Sequence, residues 1–175
     1  MQEMKRGYIQ LYTGDGKGKT TAALGLALRA AGHGLFTYIA QFMKGQSYGE
    51  LTAVRLIPEI KIEQFGKATF IHVDKVSAED KKMANAGLEA AMQAMLSHQY
   101  QLIILDEINV ALQYKLISLS QIFDFISKKP ETIELILTGR RAPQELIKRA
   151  DLVTEMVEVK HYYSAGVAAR QGIEM

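Results

Sequence analysis

The chain has 175 residues, a length typical of one domain, and its 48% hydrophobic and 23% charged residues are those of a globular protein rather than a disordered one. It contains no cysteine, which excludes disulfides, thiolate metal sites and cysteine nucleophiles. A formal net charge of +2 gives no indication of nucleic acid or an anionic membrane as a partner. The longest apolar runs are far shorter than the ~20 residues that span a bilayer, and the N-terminus does not resemble a signal peptide, so we expect a cytoplasmic protein.

Short strand-like runs alternate with longer helix-like stretches, a pattern that predicts an α/β fold with a mainly parallel sheet. The predicted strands cover 8–12, 35–42, 60–65, 102–105, 133–138 and 152–159. The predicted helices cover 19–31, 50–56, 77–98, 106–114, 119–128 and 143–149. Ser77 is predicted to cap the third of these helices, with Asp80 three residues on as its reciprocal partner. The most apolar strand, 102–105, is predicted to lie in the middle of the sheet. Because no repeat or linker is visible, we expect one domain over 1–175, with an irregular tail at 160–175.

A glycine-rich segment joins the first predicted strand to the first predicted helix. It reads Thr13-Gly14-Asp15-Gly16-Lys17-Gly18-Lys19-Thr20-Thr21. In such a turn the backbone N–H groups and the helix N-terminus can surround a phosphate, with Lys19 reaching the terminal phosphates and the Thr20 hydroxyl binding magnesium. Thr13 stands where the usual pattern has its first glycine. The alternative is an ordinary glycine-rich turn, but the position after the first strand and a matching acid downstream favour nucleotide binding.

Charged residues follow two further strands of the predicted sheet. Asp106 ends the run 102–105 and is a candidate second magnesium anchor, while Glu107 is a candidate metal ligand or base. The alternative is that these two acids only cap the next helix. Arg140 and Arg141 follow the strand 133–138 and are candidates for a phosphate contact, because strand C-termini line the ligand crevice of a parallel sheet.

The phosphate-loop segment, extended to Ala23, resembles that of the corrinoid adenosyltransferases, the ATP:cob(I)alamin type with a P-loop, in which threonine at the first position is normal. Four further groups of residues match the same family in order: Gln41-Phe42-Met43-Lys44-Gly45, Leu105-Asp106-Glu107-Ile108-Asn109, Leu137-Thr138-Gly139-Arg140, and Val159-Lys160-His161 with Ala165-Gly166-Val167. The resemblance covers residues 7–173, nearly the whole chain, and it makes His161 a candidate ligand contact.

This resemblance implies a RecA-like three-layer P-loop fold and transfer of the 5′-deoxyadenosyl group of ATP to the Co(I) centre of a reduced corrinoid, with release of triphosphate. It also implies that the loop amides, Lys19 and Thr20 hold the triphosphate and that Arg140 contacts phosphate. Thr20 and Glu107 would bind Mg²⁺ or Mn²⁺, with Asp106 close by. The implied partners are a corrinoid substrate, a reductant such as a flavoprotein and a second copy of the chain in a homodimer.

The sequence departs from the family after the third strand. Many members carry Phe-Thr-Trp there, and those aromatic residues cover the lower face of the corrin. Here an ungapped match places Thr69 and Ile71 at the two aromatic positions, and the chain has no tryptophan. Phe65, Phe70 and Ile71 are the candidates for this role. The tail at 160–175 is expected either to close over the cleft as a flap or to fray.

Three other functions are compatible with a phosphate loop. A RecA-like ATPase would use Glu107 to activate water and would release ADP and phosphate. A small-molecule kinase would need an arginine-rich lid, which is not visible between the strands. A nucleotide or corrinoid carrier would bind both ligands without releasing triphosphate. The residues alone indicate a magnesium-dependent nucleotide enzyme, and the resemblance favours the adenosyltransferase.

Overall fold

The computed structural model describes residues 4–68 and 76–174. Its strands are β1 (Ile9–Thr13), β2 (Thr37–Phe42), β3 (Ile60–Phe65), β4 (Leu102–Asp106), β5 (Glu134–Thr138) and β6 (Leu152–Glu155). Its helices are α1 (Lys19–Ala31), α2 (Gly49–Val54), α3 (Ala78–Leu96), α4 (Ile108–Gln113), α5 (Leu119–Ser127) and α6 (Gln144–Arg149). Phe70 and Ile71, two candidates for the lower corrin face, lie outside the described residues.

The strands form one six-stranded sheet in the order β3-β2-β4-β5-β1-β6, and every pairing in it is parallel. The predicted α/β class is therefore confirmed, and the predicted "mainly parallel" sheet is entirely parallel over the described residues. β4 lies between β2 and β5, as its apolar sequence predicted, and Leu102 to Leu105 are all buried. A strand buried on both faces has no solvent-facing position, which explains the unbroken apolar run.

Helices cover both faces of the sheet and produce three layers. Alternate residues of a strand point to opposite faces, so Ile103 and Ile104 belong to different hydrophobic clusters. One cluster packs the sheet against α3 through Ala91 and Met95, and the other packs it against α1 through Ala27. This arrangement is consistent with the RecA-like P-loop fold. Among the described residues, no helix has the length and hydrophobicity needed to cross a membrane.

The α3 and α5 helices begin with reciprocal capping contacts. The Ser77 side chain accepts a hydrogen bond from the Asp80 backbone, and the Asp80 carboxylate accepts one from the Ser77 N–H at 2.8 Å. Ser118 and Gln121 make the same pair of contacts at α5. The pairing of Ser77 with Asp80 was predicted from its spacing and is confirmed.

Most predicted ends lie within two residues of the observed ones, but the structure differs more clearly at the end of β6, at the start of α4 and in the tail. The strand predicted over 152–159 ends at Glu155, because the next residue, Met156, turns onto the glycine-rich loop and accepts a hydrogen bond from Gly16 at 2.7 Å. The helix predicted over 106–114 begins only at Ile108, because Asp106 still belongs to β4. The tail contains a short 3-10 helix at Tyr162–Ala165, in a region predicted to be irregular.

Candidate active site

The carboxyl ends of four adjacent strands bring polar residues together at one edge of the sheet. Gln41 near the end of β2 is in register with Asp106 at the end of β4, and Tyr12 in β1 is in register with Thr138 at the end of β5. α1 begins at the same edge, directly after β1, with Lys19 and Thr20. The topology therefore places the glycine-rich loop beside the predicted acids, at the edge where parallel sheets bind ligands.

Asp106 connects the polar residues at this edge. Its side chain is buried and accepts four hydrogen bonds. Oδ1 accepts from the hydroxyls of Thr20 at 2.9 Å and Thr138 at 2.7 Å. Oδ2 accepts from the Gln41 amide at 3.2 Å and from the Lys44 ammonium at 2.9 Å. A buried carboxylate is costly unless it is paired and hydrogen-bonded, and these four donors meet that requirement.

Glu107, the residue after Asp106, has an unusual backbone conformation. Its φ is +62°, in the left-handed region, and its N–H donates to Thr138 Oγ1 at 2.9 Å. The residue precedes α4, but its side chain makes no capping hydrogen bond, so it is free to line the cleft. Burial raises the pKa of Glu107, and the nearby Asp106 charge raises it further.

The glycine-rich loop is shaped by close contacts that only glycine permits. A Cβ at Gly14 would lie 2.4 Å from the Met156 carbonyl oxygen, and one at Gly16 would lie 2.7 Å from the same atom. Gly18 has a φ of +120° directly before α1, a conformation that other residues rarely adopt. Glycine is therefore needed at Gly14 and Gly16 because the segment after β6 packs closely against the loop, and at Gly18 because of the backbone conformation of the turn.

Lys19 points back over the loop that precedes it. Its Nζ donates to the carbonyl oxygens of Gly14 and Gly16, both at 2.7 Å, and its side chain is largely buried. Burial lowers the pKa of Lys19. The loop thus holds one ammonium at the start of α1, where the helix N-terminus adds further positive potential.

Thr13 and Arg140 lie where β1 and β5 end. Thr13 is buried, and its Oγ1 accepts a hydrogen bond from the Ala142 N–H at 3.1 Å, which ties the loop to the segment after β5. A glycine could not make this bond, which gives a physical reason for threonine at the first loop position. Arg140 lines the cleft; over the described residues, Arg141 is not part of that lining. The side-chain amide of Asn109 donates a hydrogen bond to the carbonyl oxygen of the preceding Gly139, with a nitrogen–oxygen distance of 2.9 Å.

The C-terminal tail folds back onto the glycine-rich loop. Lys17 Nζ contacts the Glu174 carboxylate at 2.7 Å and the Tyr162 hydroxyl at 2.9 Å, and Arg170 pairs with the same carboxylate at 3.2 Å. The His161 ring lies 4.9 Å from the Tyr162 ring. Hydrogen bonds from Arg170 and Lys17 hold the pKa of Glu174 well below its usual range.

These elements enclose a cleft of about 470 Å³. Its lining comes from the loop and α1, from the segment around α2, from the ends of β4 and β5, and from the tail: Gly16 to Thr21, Leu24, Lys44, Tyr48 to Glu50, Glu107, Arg140, His161 and Gly172 to Glu174. Four of the lining side chains are cations: Lys17, Lys19, Lys44 and Arg140. Three carboxylates, from Glu50, Glu107 and Glu174, also line the cleft, and that of Glu174 pairs with Lys17. The remaining cations, beside a helix N-terminus, suit a polyphosphate.

The structure brings most of the predicted site residues together. Gly16 to Thr21, Glu107, Arg140 and His161 line one cleft, and Asp106 lies directly beneath it in contact with Thr20. Within the described ranges, Thr13, Gly14 and Asp15 are not part of the cleft lining, and the first two support the loop from behind. Phe65, a candidate for the corrin face, packs against Phe42 and α3.

Three residues that contact Asp106 had no role of their own in the sequence analysis: Gln41, Lys44 and Thr138. Each occurs in a stretch that resembles the family, but their contacts with Asp106 depend on strand pairing. Lys44 and Asp106 are 62 positions apart in the chain. A local signal was that each residue lies at or next to the end of a predicted strand, as Asp106 does.

The oxygen atoms at this edge fit a magnesium ion that arrives with a nucleotide. Among the described residues, no three His, Asp or Glu side chains form a group that could hold a metal by themselves. Thr20 Oγ1 lies 2.9 Å from Asp106 Oδ1, and Glu107 lines the same cleft. Mg²⁺ typically takes one or two carboxylates from the protein and completes its coordination with phosphate and water. The Thr20 hydroxyl and one or two carboxylates are therefore enough protein ligands for such a magnesium ion.

The parallel sheet, the glycine-rich loop before α1 and the acid at the end of β4 define the class of P-loop nucleotide-binding proteins. Comparison with known proteins narrows the class. The family model described as ATP:corrinoid adenosyltransferase BtuR/CobO/CobP matches residues 5–175. The chain belongs to the ATP:corrinoid adenosyltransferase family.

Individual relatives agree with the family match. A corrinoid adenosyltransferase of Pseudomonas aeruginosa is 35% identical over 97% of this chain and 84% of its own length. The corrinoid adenosyltransferase of Escherichia coli and that of Salmonella typhimurium are each 33% identical over 97% of this chain and 86% of their own length. The predicted family and transferase activity are thereby confirmed, with ATP as co-substrate and a corrinoid as substrate, and ATP hydrolysis is not favoured.

Proposed function

We propose that the cleft binds the triphosphate of ATP and presents the 5′ carbon to the Co(I) centre of a reduced corrinoid. Two electrons of Co(I) form the cobalt–carbon bond, the bond from C5′ to oxygen breaks, and triphosphate leaves with the bonding electrons. The cobalt is formally oxidised to Co(III). The observation that carries this assignment is the convergence of four cationic side chains and the glycine-rich loop on one cleft in a chain of this family.

The reaction needs charge stabilisation and alignment more than proton transfer. Co(I) is a strong nucleophile, so no general base has to activate it, and the main task is to stabilise the triphosphate as it leaves. We assign this task to the loop amides, Lys19, Thr20 and Arg140, with Lys17 also in the cleft lining. The positions of Lys19 at the start of α1 and Arg140 after β5 support the assignment, since both line the cleft.

We assign the divalent cation to Thr20 and Glu107, with Asp106 close by. When bound, Mg²⁺ or Mn²⁺ would neutralise charge on the triphosphate. The test is Glu107→Gln, which keeps the size of the side chain and removes its charge. We expect the magnesium concentration at half-maximal activity to rise about tenfold or more. An unchanged magnesium titration would exclude Glu107 from this role.

The assembly, the location and the electron donor are inferred from the family, and a role for the tail is inferred from its contacts. We infer that the chain acts as a single domain and a homodimer in the cytoplasm, and that a reductant such as a flavoprotein supplies Co(I). We also infer that residues 160–175 act as a flap, because Lys17 and Glu174 connect the tail to the loop. Sedimentation velocity tests the dimer, and a purely monomeric protein at micromolar concentration would contradict it.

The proposed function is tested under anaerobic conditions with the whole chain, MgATP and chemically reduced cobalamin. We expect the Co(I) absorbance to decay to that of a light-sensitive alkylcobalamin, with one triphosphate released per cobalt. Release of ADP and phosphate that does not depend on the corrinoid would instead identify a hydrolase. Binding of both ligands without any triphosphate would identify a carrier.

A further inference from the structure

Lys44 lies two residues beyond the end of β2, where the backbone packs against the segment after β3. The preceding Met43 has a φ of +57°, and its N–H donates to the Phe65 carbonyl at 3.0 Å. A Cβ at Gly45 would lie 2.4 Å from the Gly66 carbonyl oxygen, so the two segments touch backbone to backbone. The Lys44 backbone is thereby fixed, while its four-carbon side chain can still change rotamer.

The Lys44 ammonium lies beside the two residues that fit a divalent cation. Its Nζ is 2.9 Å from Asp106 Oδ2 and 3.5 Å from Thr20 Oγ1. The centroid of the Tyr48 ring lies 5.5 Å from the same Nζ, and the Lys44 side chain is 17% exposed. The Lys19 ammonium, by contrast, donates hydrogen bonds to carbonyl oxygens of the loop. Of these two lysines, Lys44 is therefore the one that neutralises the buried carboxylate.

On the basis of the proposed function, we propose that Lys44 is a positioning residue that exchanges places with the divalent cation. Before the metal nucleotide binds, its ammonium holds Asp106 beside Thr20. When the cation arrives, the ammonium leaves Asp106 and pairs with the triphosphate. Lys44 thereby couples binding of the metal to binding of the leaving group.

The physical basis is repulsion between like charges at short range. An ammonium and a divalent cation cannot both lie within a few ångströms of Thr20 and Asp106 without a large electrostatic penalty. The Thr138 and Gln41 donors are neutral and buried, so they can keep Asp106 in place after the ammonium departs. Lys44 lines the cleft, so a triphosphate bound there would be the next anion within its reach.

The test is Lys44→Met, which removes the charge and retains most of the apolar stem. Mn²⁺ binding to the nucleotide-free protein is measured by electron paramagnetic resonance, and inorganic triphosphate binding at saturating Mn²⁺ is measured by calorimetry. We expect Mn²⁺ to bind about tenfold more tightly, because a competing cation is gone, and triphosphate to bind about tenfold more weakly. A merely structural role would weaken both, so the opposite signs identify the exchange.

Two further variants serve as controls. Lys44→Arg keeps the charge and should weaken triphosphate binding less than Lys44→Met does. Lys61→Met makes the same change of net charge on β3, where Lys61 pairs with Glu63, and should alter neither affinity. Mn²⁺ affinity that is unchanged, weaker or undetectable in Lys44→Met would overturn the proposal. Because these are binding measurements, that outcome is distinct from a failure of wild-type adenosyl transfer, which would count against the proposed function.

Discussion

Thr138 offers the sharpest test of how the site is built, because one hydroxyl joins its two acids. The side chain is fully buried, donates to Asp106 Oδ1 at 2.7 Å and accepts from the Glu107 N–H at 2.9 Å. Thr138→Val has nearly the same shape but can do neither. A hydrogen bond to an ionised group contributes ~1.5–3 kcal/mol, and a buried N–H left without a partner costs ~1–3 kcal/mol. Because Asp106 keeps three other donors, we expect a loss of about 2–4 kcal/mol in the free energy of unfolding.

The matched control is Thr138→Ser, which keeps the hydroxyl and removes one methyl group. Burial of that methyl group is worth about 1 kcal/mol. Urea unfolding followed by circular dichroism gives both free energies. If Thr138→Val were within about 0.5 kcal/mol of Thr138→Ser, the hydroxyl would not have the structural role that its contacts imply.

The same pair of variants tests the link to activity. The φ of +62° at Glu107 is a strained conformation, and the hydrogen bond to Thr138 is one of the contacts that maintain it. Without that contact the peptide is expected to relax and carry the Glu107 carboxylate away from the cleft. Misplacement by about 1 Å can cost ~10²-fold in rate, so we expect a loss of that order for Thr138→Val and little loss for Thr138→Ser. Equal turnover in the two variants would refute the reasoning.

Three other changes test separate parts of the structure. Lys19→Ala removes a charge next to the leaving group and should reduce kcat by ~10²–10³, and near-normal turnover would exclude this role. Asp80→Asn should cost about 1–2 kcal/mol at pH 7, because the carboxylate caps α3. Hydrogen bonds from Ser77 lower the pKa of Asp80 in the folded state, so this stabilisation is complete above about pH 4 and is lost as the pH falls further. The neutral counterpart Gln121→Ala at α5 should show a cost that does not change over the same range in urea titrations. Glu174→Gln removes the carboxylate that ties the tail to the glycine-rich loop, and amide hydrogen exchange over 170–174 should accelerate about tenfold; unchanged exchange would mean that other contacts hold the tail.

The sequence was sufficient to predict the elements and their order because their signals are local. The unbroken apolar run 102–105 indicated a central strand, and the spacing of Ser77 and Asp80 indicated the start of α3. The glycine-rich loop and the acids after β4 were also visible, since each follows directly from residue type and position. These features predicted which edge of the sheet carries the site.

What the sequence did not predict depends on contacts between distant residues. The backbone of Glu107 is held by Thr138, 31 positions away, so the start of α4 could not be read from helix propensity. The end of β6 was missed because Met156 packs on Gly14 and Gly16, far away in the chain. The role of Lys44 was not predicted, because only the pairing of β2 with β4 places it beside Asp106.

The function proposed for this cleft is transfer of the 5′ carbon of ATP to cobalt. The most direct measurement uses ATP enriched in ¹³C at the 5′ position, reduced cobalamin and excess MgCl₂, with the products followed by ¹³C nuclear magnetic resonance. We predict that the label moves into a carbon bonded to cobalt with the wild-type chain and that this transfer is slower by ~10²–10³ with Lys19→Ala. Label that stays in ADP or ATP while phosphate is released, or transfer that proceeds equally well without Lys19, would contradict the account.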